Sequence, residues 1–255
     1  MNQALIFDCD GVLCDTEQFG HLPAFNAMFR EVGLPISWTP EQYAHLVTIG
    51  GGKERLLSVL TDDFCEAHGL PWHDRAEQAR LVASWHAIKT RHYIELVESG
   101  ALPPRPGVKR LAEAAAAAGY QLAVASTSAE PSVRAIADRV FGPELAAAFT
   151  ICAGDIVAQK KPAPDIYLKA LEALQVNPAD AWAFEDSGIG LRAAIGAGLT
   201  TVVTPSPYTV NDDFTGAALV VSDLGEADAP LQLINDQRQA VDGPCVTLQT
   251  LERLK

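Results

Sequence analysis

Near its N-terminus the chain reads Ala4-Leu5-Ile6-Phe7-Asp8-Cys9-Asp10-Gly11. The apolar run predicts a short buried strand, and the polar residues after it mark the end of that strand. Asp8 and Asp10 are two positions apart, so an extended backbone directs both carboxylates to the same side. Asp-x-Asp-Gly alone is also an ordinary turn sequence. The stretch therefore predicts a strand that ends in two carboxylates, and its chemical meaning depends on the rest of the chain.

The same strand pattern returns after residue 105 and alternates with helical patterns. Strands are predicted at 121–125, 149–152, 181–184, 200–203 and 218–221, and helices at about 107–119, 131–141, 164–174 and 188–197. Short apolar strands that alternate with helices are typical of a parallel sheet covered on both faces. We therefore expect an α/β fold, with a doubly wound, Rossmann-like parallel sheet.

Residues 16–98 have a different character, because they read as several helices without a convincing strand. The simplest organisation is a helical cap domain, 16–98, inserted after the first strand of a core domain that comprises 1–15 and 99–255. A chain of 255 residues is long enough for this arrangement. The prolines between Leu102 and Gly107 predict the point where the chain returns to the core domain.

Composition narrows the class of protein. A hydrophobic fraction of 48% without repeats is typical of an ordinary folded chain. The net charge of -13 argues against a broad nucleic-acid surface. No apolar run reaches the length of a membrane span, and no signal peptide is evident. The cysteines are odd in number and scattered along the sequence, which favours free thiols in a reducing compartment. We expect a cytoplasmic monomer that acts on a small molecule, without nucleic-acid or membrane partners.

Other strand ends are polar where the apolar run stops. Ser126 and Thr127 follow one strand, Lys161 lies in the next loop, and Glu185 and Asp186 follow the strand at 181–184. Singly, such residues are typical of helix caps or solvated loops. Carboxyl ends of parallel strands meet at one edge of a sheet, however, so these groups should converge there.

This convergence predicts a phosphoryl-transfer site. Several carboxylates at one edge would repel each other without a cation, and hard oxygen ligands suit Mg²⁺. Lys161 and the Ser126 hydroxyl would hold phosphate oxygens during the attack.

Four motifs resemble those of the haloacid dehalogenase superfamily, in the same order over residues 4–203: Asp8-x-Asp10-Gly11-Val12, Ser126, Lys161-Pro162 and Glu185-Asp186. The resemblance implies that Asp8 is a nucleophile that forms an aspartyl-phosphate. It implies that Asp10 protonates the leaving alcohol and later deprotonates water. A haloacid dehalogenase is disfavoured, because that subgroup lacks the second aspartate.

The same resemblance implies the ligands of the site. Mg²⁺ would be held by Asp8, the Asp10 carbonyl and Asp186, with Glu185 acting directly or through another ligand. The transferred phosphoryl group would be bound by Ser126, Thr127 and Lys161.

In the cap, Ile49-Gly50-Gly51-Gly52-Lys53-Glu54-Arg55 places three glycines before two cations at a predicted helix start. Exposed amides and the helix dipole favour an anion there. The alternative is a flexible turn before an amphipathic helix. A Walker loop is excluded, because the Gly-x-x-x-x-Gly-Lys-Ser/Thr pattern is absent.

Further motifs are similar to the CbbY family, nearly to residue 225: Asp15-Thr16-Glu17, Gly20-His21, Phe25-Asn26, Gly50 to Arg55, and Lys160-Lys161-Pro162-x-Pro164-Asp165-Ile166-Tyr167. The resemblance implies carbohydrate metabolism: hydrolysis of xylulose 1,5-bisphosphate, an inhibitor of Rubisco, to xylulose 5-phosphate and phosphate. It implies that a distal phosphate is held by Gly51, Gly52, Lys53, Glu54 and Arg55. Sugar contacts would come from Glu17, Tyr43, His86 and Lys89, whereas His21 is either a substrate contact or structural.

Two alternatives remain open at this point. A β-phosphoglucomutase-like mutase uses the same two aspartates and a similar cap, and differs only in returning the phosphoryl group to another hydroxyl. A phosphoglycolate phosphatase acts on a substrate with one phosphate, which leaves the glycine-rich cationic loop without an evident ligand.

Overall fold

The computed structural model describes residues 3–49, 51–71 and 73–255. Gly50, part of the predicted anion loop, lies outside the described residues. The chain forms two compact units, a helical unit of Glu17–Ala101 and an α/β unit of Met1–Thr16 with Leu102–Lys255. The division thus falls one residue later at the first junction and three residues later at the second than the predicted 16–98 insertion.

The helical unit begins with a π-helical turn at Glu17–His21, and its described residues continue with the α-helices α1 Leu22–Glu31, α2 Pro40–Leu46, α3 Gly52–Leu57, α4 Asp62–His68 and α5 Arg75–Glu98. Its described residues contain no strand, as predicted. Thr39 begins α2 with a capping box, because its hydroxyl accepts from the Gln42 backbone and the Gln42 side chain accepts from the Thr39 backbone. Part of the core of this unit is aromatic: the buried Phe25, Phe29 and Tyr43 each contact the half-buried Trp38.

The α/β unit contains a seven-stranded sheet of order β3-β2-β1-β4-β5-β6-β7. Its strands are β1 Ala4–Phe7, β2 Gln121–Ser126, β3 Phe149–Ala153, β4 Ala181–Glu185, β5 Thr200–Val203, β6 Leu219–Val221 and β7 Leu233–Asn235. The pairs from β3 through β6 are parallel, which confirms the predicted doubly wound sheet. The unpredicted β7 pairs antiparallel with β6, and its three residues are all exposed, so it lacks the apolar pattern of a buried strand.

In the described part of this unit, the sheet is accompanied by a short 3-10 helix at Pro178–Asp180 and by six α-helices: α6 Val108–Ala117, α7 Glu130–Phe141, α8 Pro143–Ala146, α9 Asp165–Leu174, α10 Gly188–Gly196 and α11 Leu248–Arg253. In α9 the buried residues Ile166, Ala170, Leu171 and Leu174 recur at helical spacing and form one apolar face. That face packs in the same core as Ile6 and Ala183 of the sheet. Among the helices of the described ranges, none is both long enough and apolar enough to cross a membrane.

The order of the strands positions the site. β1 lies inside the sheet, with β2 on one side and β4 on the other. The chain first adds β2 and β3 on one side of β1 and then adds β4, β5 and β6 on the other, so the direction of the connections reverses between β1 and β4. Ligands of such sheets bind beyond the carboxyl ends of the strands at this switch point. Asp8 follows β1 and Asp186 follows β4, so both carboxylates leave the sheet at that place.

Candidate active site

Three buried carboxylates converge at the switch point, on Asp8, Glu185 and Asp186. Each offers an oxygen atom, and these atoms lie within 4.8 Å of one another. Phe7 and Phe184 are paired in the sheet, which brings the following residues, Asp8 and Glu185, side by side. The Asp8 amide donates to the Phe184 carbonyl at 2.9 Å and fixes the first residue after β1. The structure thus brings three of the predicted site residues together; we call them the acid cluster.

Lys161 enters the acid cluster from the loop between β3 and α9. Its Nζ lies 2.8 Å from Asp8 Oδ1 and 2.7 Å from Glu185 Oε1. The side chain is only 8% exposed, so these ion pairs are shielded from water and salt. The predicted lysine is therefore paired both with Asp8, the candidate nucleophile, and with Glu185, the last residue of β4.

The two oxygens of Glu185 have different surroundings. Oε1 accepts from Lys161 Nζ and from the Tyr167 hydroxyl. Oε2 is buried and has no hydrogen-bond partner among the described residues. A Cβ atom at Gly190 would lie 1.9 Å from Oε2, so only glycine leaves room for this carboxylate. An orphaned, buried carboxylate oxygen is costly unless a cation or a proton satisfies it.

Asp186, like Glu185, is packed closely against a glycine. A Cβ atom at Gly11 would lie 2.1 Å from Asp186 Oδ2, and Gly11 has a φ of +76°, so the position requires glycine on both counts. The Thr209 hydroxyl donates to the Asp186 carbonyl at 2.7 Å. Sequence reasoning missed Thr209, because it lies in a loop after β5, outside every motif.

Burial and mutual repulsion change the acidity of the cluster. Burial raises the pKa of Asp8 to about 7, with Lys161 opposing the shift. Burial, with the charges of Asp8 and Glu185, raises the pKa of Asp186 well above its usual range. Burial alone would lower the pKa of Lys161, yet the charges of Asp8 and Glu185 raise it overall. The carboxylates therefore outweigh the positive charge beside them, and their hard oxygen atoms suit a divalent cation such as Mg²⁺.

Asp10 is linked to the end of β2. The Ser128 hydroxyl donates to Asp10 Oδ2, and the Ser128 amide donates to Ser126 Oγ at 3.1 Å. Ser126 is buried and Thr127 is half-buried. Ser128 was not among the predicted site residues, although it is the third hydroxyl residue of the run after this strand. The run Ser126-Thr127-Ser128 was therefore the sequence signal for this residue.

In the helical unit, Glu17, Tyr43 and Arg55 form what we call the cap cluster. Arg55 Nη1 and Nη2 donate to the two oxygens of Glu17 at 2.9 and 3.0 Å. The Tyr43 hydroxyl donates to Glu17 Oε2 at 2.6 Å and accepts from Arg55 Nη1 at the same distance. Arg55 Nε donates to the Ile49 carbonyl at 3.0 Å. These contacts fix the orientation of the Glu17 carboxylate.

A second group in the helical unit contains His21 and Lys89. Lys89 Nζ lies 2.6 Å from His21 Nδ1, within hydrogen-bond distance. The His21 ring stacks on Tyr93, with centroids 4.4 Å apart. Lys89 Nζ lies 4.8 Å from the centre of that same Tyr93 ring. The buried ammonium is thus held by an imidazole nitrogen and an aromatic face.

The remaining cap candidates lie around the start of α3. His86 Nε2 would be 2.8 Å from a Cβ atom at Gly52, so the imidazole lies directly over this glycine. Gly51 adopts a φ of +102°, and Lys53 and Glu54 are half-buried. His86 and Lys89 are three residues apart on α5; His86 lies over Gly52, and Lys89 lies against His21.

Comparison with known proteins agrees with this geometry. Residues 3–198 match the family model described as haloacid dehalogenase-like hydrolase. The CbbY protein of Cupriavidus necator is 46% identical over 231 residues, which cover 90% of this chain and 88% of that protein.

Solved structures give the same result. The structure of CbbY from Rhodobacter sphaeroides in complex with phosphate has a TM-score of 0.77 and 39% identity, and the match covers 88% of this chain and 95% of that one. A variant of the same protein, in complex with xylulose-(1,5)bisphosphate, has a TM-score of 0.76 and 40% identity over the same shares. The acid cluster, the inserted helical unit and these matches show that the chain belongs to the haloacid dehalogenase-like hydrolases, within the CbbY family.

Proposed function

We propose that this protein is a Mg²⁺-dependent phosphatase that hydrolyses xylulose 1,5-bisphosphate to xylulose 5-phosphate and inorganic phosphate. The observation that carries the proposal is the buried acid cluster, with Lys161 bonded to Asp8 at 2.8 Å. The choice of substrate is supported by membership of the CbbY family and by the similar structure that contains this ligand.

The chemistry is assigned to Asp8 and Asp10. An oxygen of the Asp8 carboxylate attacks the phosphorus atom, a new oxygen–phosphorus bond forms, and the bond to the sugar oxygen breaks. Asp10 gives its proton to that departing oxygen, so the sugar leaves as a neutral alcohol. Water then attacks the phosphorus atom of the aspartyl-phosphate and Asp10 takes one proton of the water. The bond between phosphorus and the Asp8 oxygen breaks, which releases phosphate and restores the Asp8 carboxylate. Such a nucleophile divides one difficult hydrolysis into two easier displacements.

The Ser128 hydroxyl supports the proton transfer. It donates to Asp10 Oδ2, and a donated hydrogen bond stabilises the ionised carboxylate. It also orients the carboxyl group, so that the other oxygen carries the proton in the first step and accepts it in the second. Ser128 is therefore added to the predicted residues as a positioning residue for Asp10.

The acid cluster provides the metal site of the proposal. Asp8, Asp186 and the Asp10 carbonyl would hold Mg²⁺, with Glu185 supplying its orphaned oxygen directly or through water. When bound, the ion offsets the charge of the phosphate and of the carboxylates that approach it. Lys161, Ser126 and Thr127 are assigned to the phosphate oxygens, which need positively charged and hydroxyl donors.

The helical unit is assigned the recognition of the rest of the substrate. Lys53 and Arg55, with Glu54 and the amides of Gly51 and Gly52, are proposed to hold the second phosphate. For the sugar hydroxyls we propose Glu17, Tyr43, His86 and Lys89, with His21 holding Lys89. The cap cluster supports this assignment, because Arg55 and Tyr43 fix a carboxylate that accepts hydroxyl protons without first reorganising.

The proposal is tested by measuring phosphate release from xylulose 1,5-bisphosphate, xylulose 5-phosphate, glucose 1-phosphate and phosphoglycolate, with and without Mg²⁺. We expect one equivalent of phosphate from the bisphosphate, loss of activity in a chelator, and lower kcat/KM for every monophosphate.

Phosphorus NMR of the products separates hydrolysis from a mutase reaction. Stoichiometric inorganic phosphate supports a phosphatase, whereas an isomeric sugar phosphate without phosphate release would overturn it. A preference for phosphoglycolate would overturn the substrate assignment and leave the phosphatase class intact.

A further inference from the structure

Tyr167 contacts both charged groups that flank Asp8, yet no role was predicted for it, although it ends the motif that begins at Lys160. It lies in the first turn of α9 and is fully buried. Its hydroxyl donates to Glu185 Oε1, and Lys161 Nζ lies 5.0 Å from the centre of its ring. The Tyr167 side chain therefore donates a hydrogen bond to Glu185 through its hydroxyl and makes a cation–π contact with Lys161 through its ring.

The contact with Glu185 matters because the terminal torsion of a glutamate is broad and roughly two-fold. Without a restraint, the two carboxylate oxygens exchange places at small cost. Lys161 alone is a weak restraint, since a point charge attracts either oxygen. The Tyr167 hydroxyl adds a second, directional donor to Oε1. Together they leave Oε2 as the buried oxygen without a hydrogen-bond partner among the described residues, next to the space that Gly190 keeps open.

We propose that Tyr167 is a positioning residue for the metal site: its hydroxyl fixes the Glu185 carboxylate so that Oε2 stays available to the cation, and its ring holds Lys161 against Asp8. This inference rests on the proposed function, because it assigns a role toward the proposed Mg²⁺. It predicts that the hydroxyl and the ring of Tyr167 affect different steps, namely metal binding and phosphate binding.

Two variants separate these roles. Tyr167→Phe removes the hydroxyl and keeps the ring, whereas Tyr167→Leu removes both. Tyr120→Phe is the matched control, because it also removes a tyrosine–glutamate hydrogen bond in the α/β unit, that between the Tyr120 hydroxyl and Glu252 at 3.1 Å. Circular dichroism and thermal unfolding establish that each variant is folded.

The first readout is the Mg²⁺ dissociation constant of each purified protein without substrate, by titration calorimetry. Loss of a residue that orients a metal ligand weakens metal binding by about 10- to 100-fold. We expect about a 10-fold increase for Tyr167→Phe and no change for Tyr120→Phe. The second readout is KM for the sugar phosphate at saturating Mg²⁺, which should be unchanged in Tyr167→Phe and raised in Tyr167→Leu.

A double-mutant cycle with Glu185→Gln distinguishes positioning from a general loss of packing. If Tyr167 acts through Glu185, Tyr167→Phe has no further effect on Mg²⁺ binding in the Glu185→Gln protein. An equal weakening in both backgrounds, or unchanged Mg²⁺ affinity of Tyr167→Phe, would overturn the inference. Wild-type protein that binds no Mg²⁺ would overturn the proposed metal dependence and this inference with it. Mg²⁺ binding without sugar-phosphate hydrolysis would overturn the proposed function alone.

Discussion

The two units of this protein differ in how their buried carboxylates are paired. In the α/β unit, Asp8, Glu185 and Asp186 converge, Lys161 pairs with the first two, and Glu185 Oε2 has no hydrogen-bond partner within the described residues. In the helical unit, both oxygens of Glu17 accept from Arg55, and Tyr43 adds a further bond. The acid cluster therefore carries an excess of negative charge, whereas the charges of the cap cluster compensate each other.

This difference indicates which unit performs the chemistry. An excess of buried negative charge destabilises the protein alone and is relieved when a cation binds, so such a cluster favours a metal. A compensated pair holds its shape without a ligand and is suited to recognition. We therefore expect charge removal in the acid cluster to change catalysis and charge removal in the cap cluster to change stability or substrate affinity.

The largest effect is expected from an acid-to-amide substitution made once in each unit. Asp8→Asn removes the nucleophile and should lower kcat by at least about four orders of magnitude, since loss of a covalent nucleophile is among the most damaging changes to an enzyme. Glu17→Gln, the same chemical change in the cap cluster, should act mainly on KM. Steady-state phosphate release measures both, and full activity of Asp8→Asn would contradict the nucleophile assignment.

The next effect concerns the stability of the cap cluster. Arg55→Ala leaves the partly buried Glu17 carboxylate without its guanidinium and should lower the free energy of unfolding by about 3 kcal/mol. Lys53→Ala is the control, because Lys53 is half-buried and two residues away. Its effect should be smaller than that of Arg55→Ala, because Lys53 does not belong to the cap cluster. Urea denaturation followed by circular dichroism gives both values, and equal stabilities would show that the cap cluster does not stabilise its unit.

The acid cluster should reveal its excess charge through pH. In the folded protein the pKa of Asp8 is about 7 instead of its usual 3.8, so the folded state binds the proton more tightly than the unfolded state. Without metal, the free energy of unfolding should therefore fall as the pH rises from about 4 to about 7, by about 3 kcal/mol.

Mg²⁺ should reverse this loss, because it competes with protons for the same oxygens. Differential scanning fluorimetry in chelator and in Mg²⁺ should give a larger rise in Tm at pH 8 than at pH 5. A rise that is equal at both pH values would argue against a metal in the acid cluster.

The smallest effect tests the recognition assigned to the helical unit. Lys53→Ala should raise KM for xylulose 1,5-bisphosphate by about tenfold, the equivalent of about 1.4 kcal/mol for a lost charged hydrogen bond. KM for a monophosphate and kcat for either substrate should stay near the wild-type values. Equal changes for both substrates would contradict a second phosphate site at this lysine.

Much of the α/β unit was predictable because its signals are local. The strand that ends at Phe7 and the helix at Val108–Ala117 follow from apolar patterns a few residues long, and the paired aspartates follow directly from their spacing. The exposed β7 was missed, because Leu233–Asn235 has no buried face to impose a pattern. Its antiparallel pairing depends on the neighbouring β6 alone.

The sequence by itself determined the class of fold, the strand-end acids and Lys161, since each depends on residue type and position along one strand or loop. The tertiary structure alone decided how these groups meet: that Glu185 keeps one oxygen unpaired within the described chain, that Tyr167 and Lys161 share the other, and that Ser128 bonds Asp10. Such contacts join residues 18 to 118 positions apart. They arise from side-chain packing at the sheet edge, and no periodicity of the sequence predicts them.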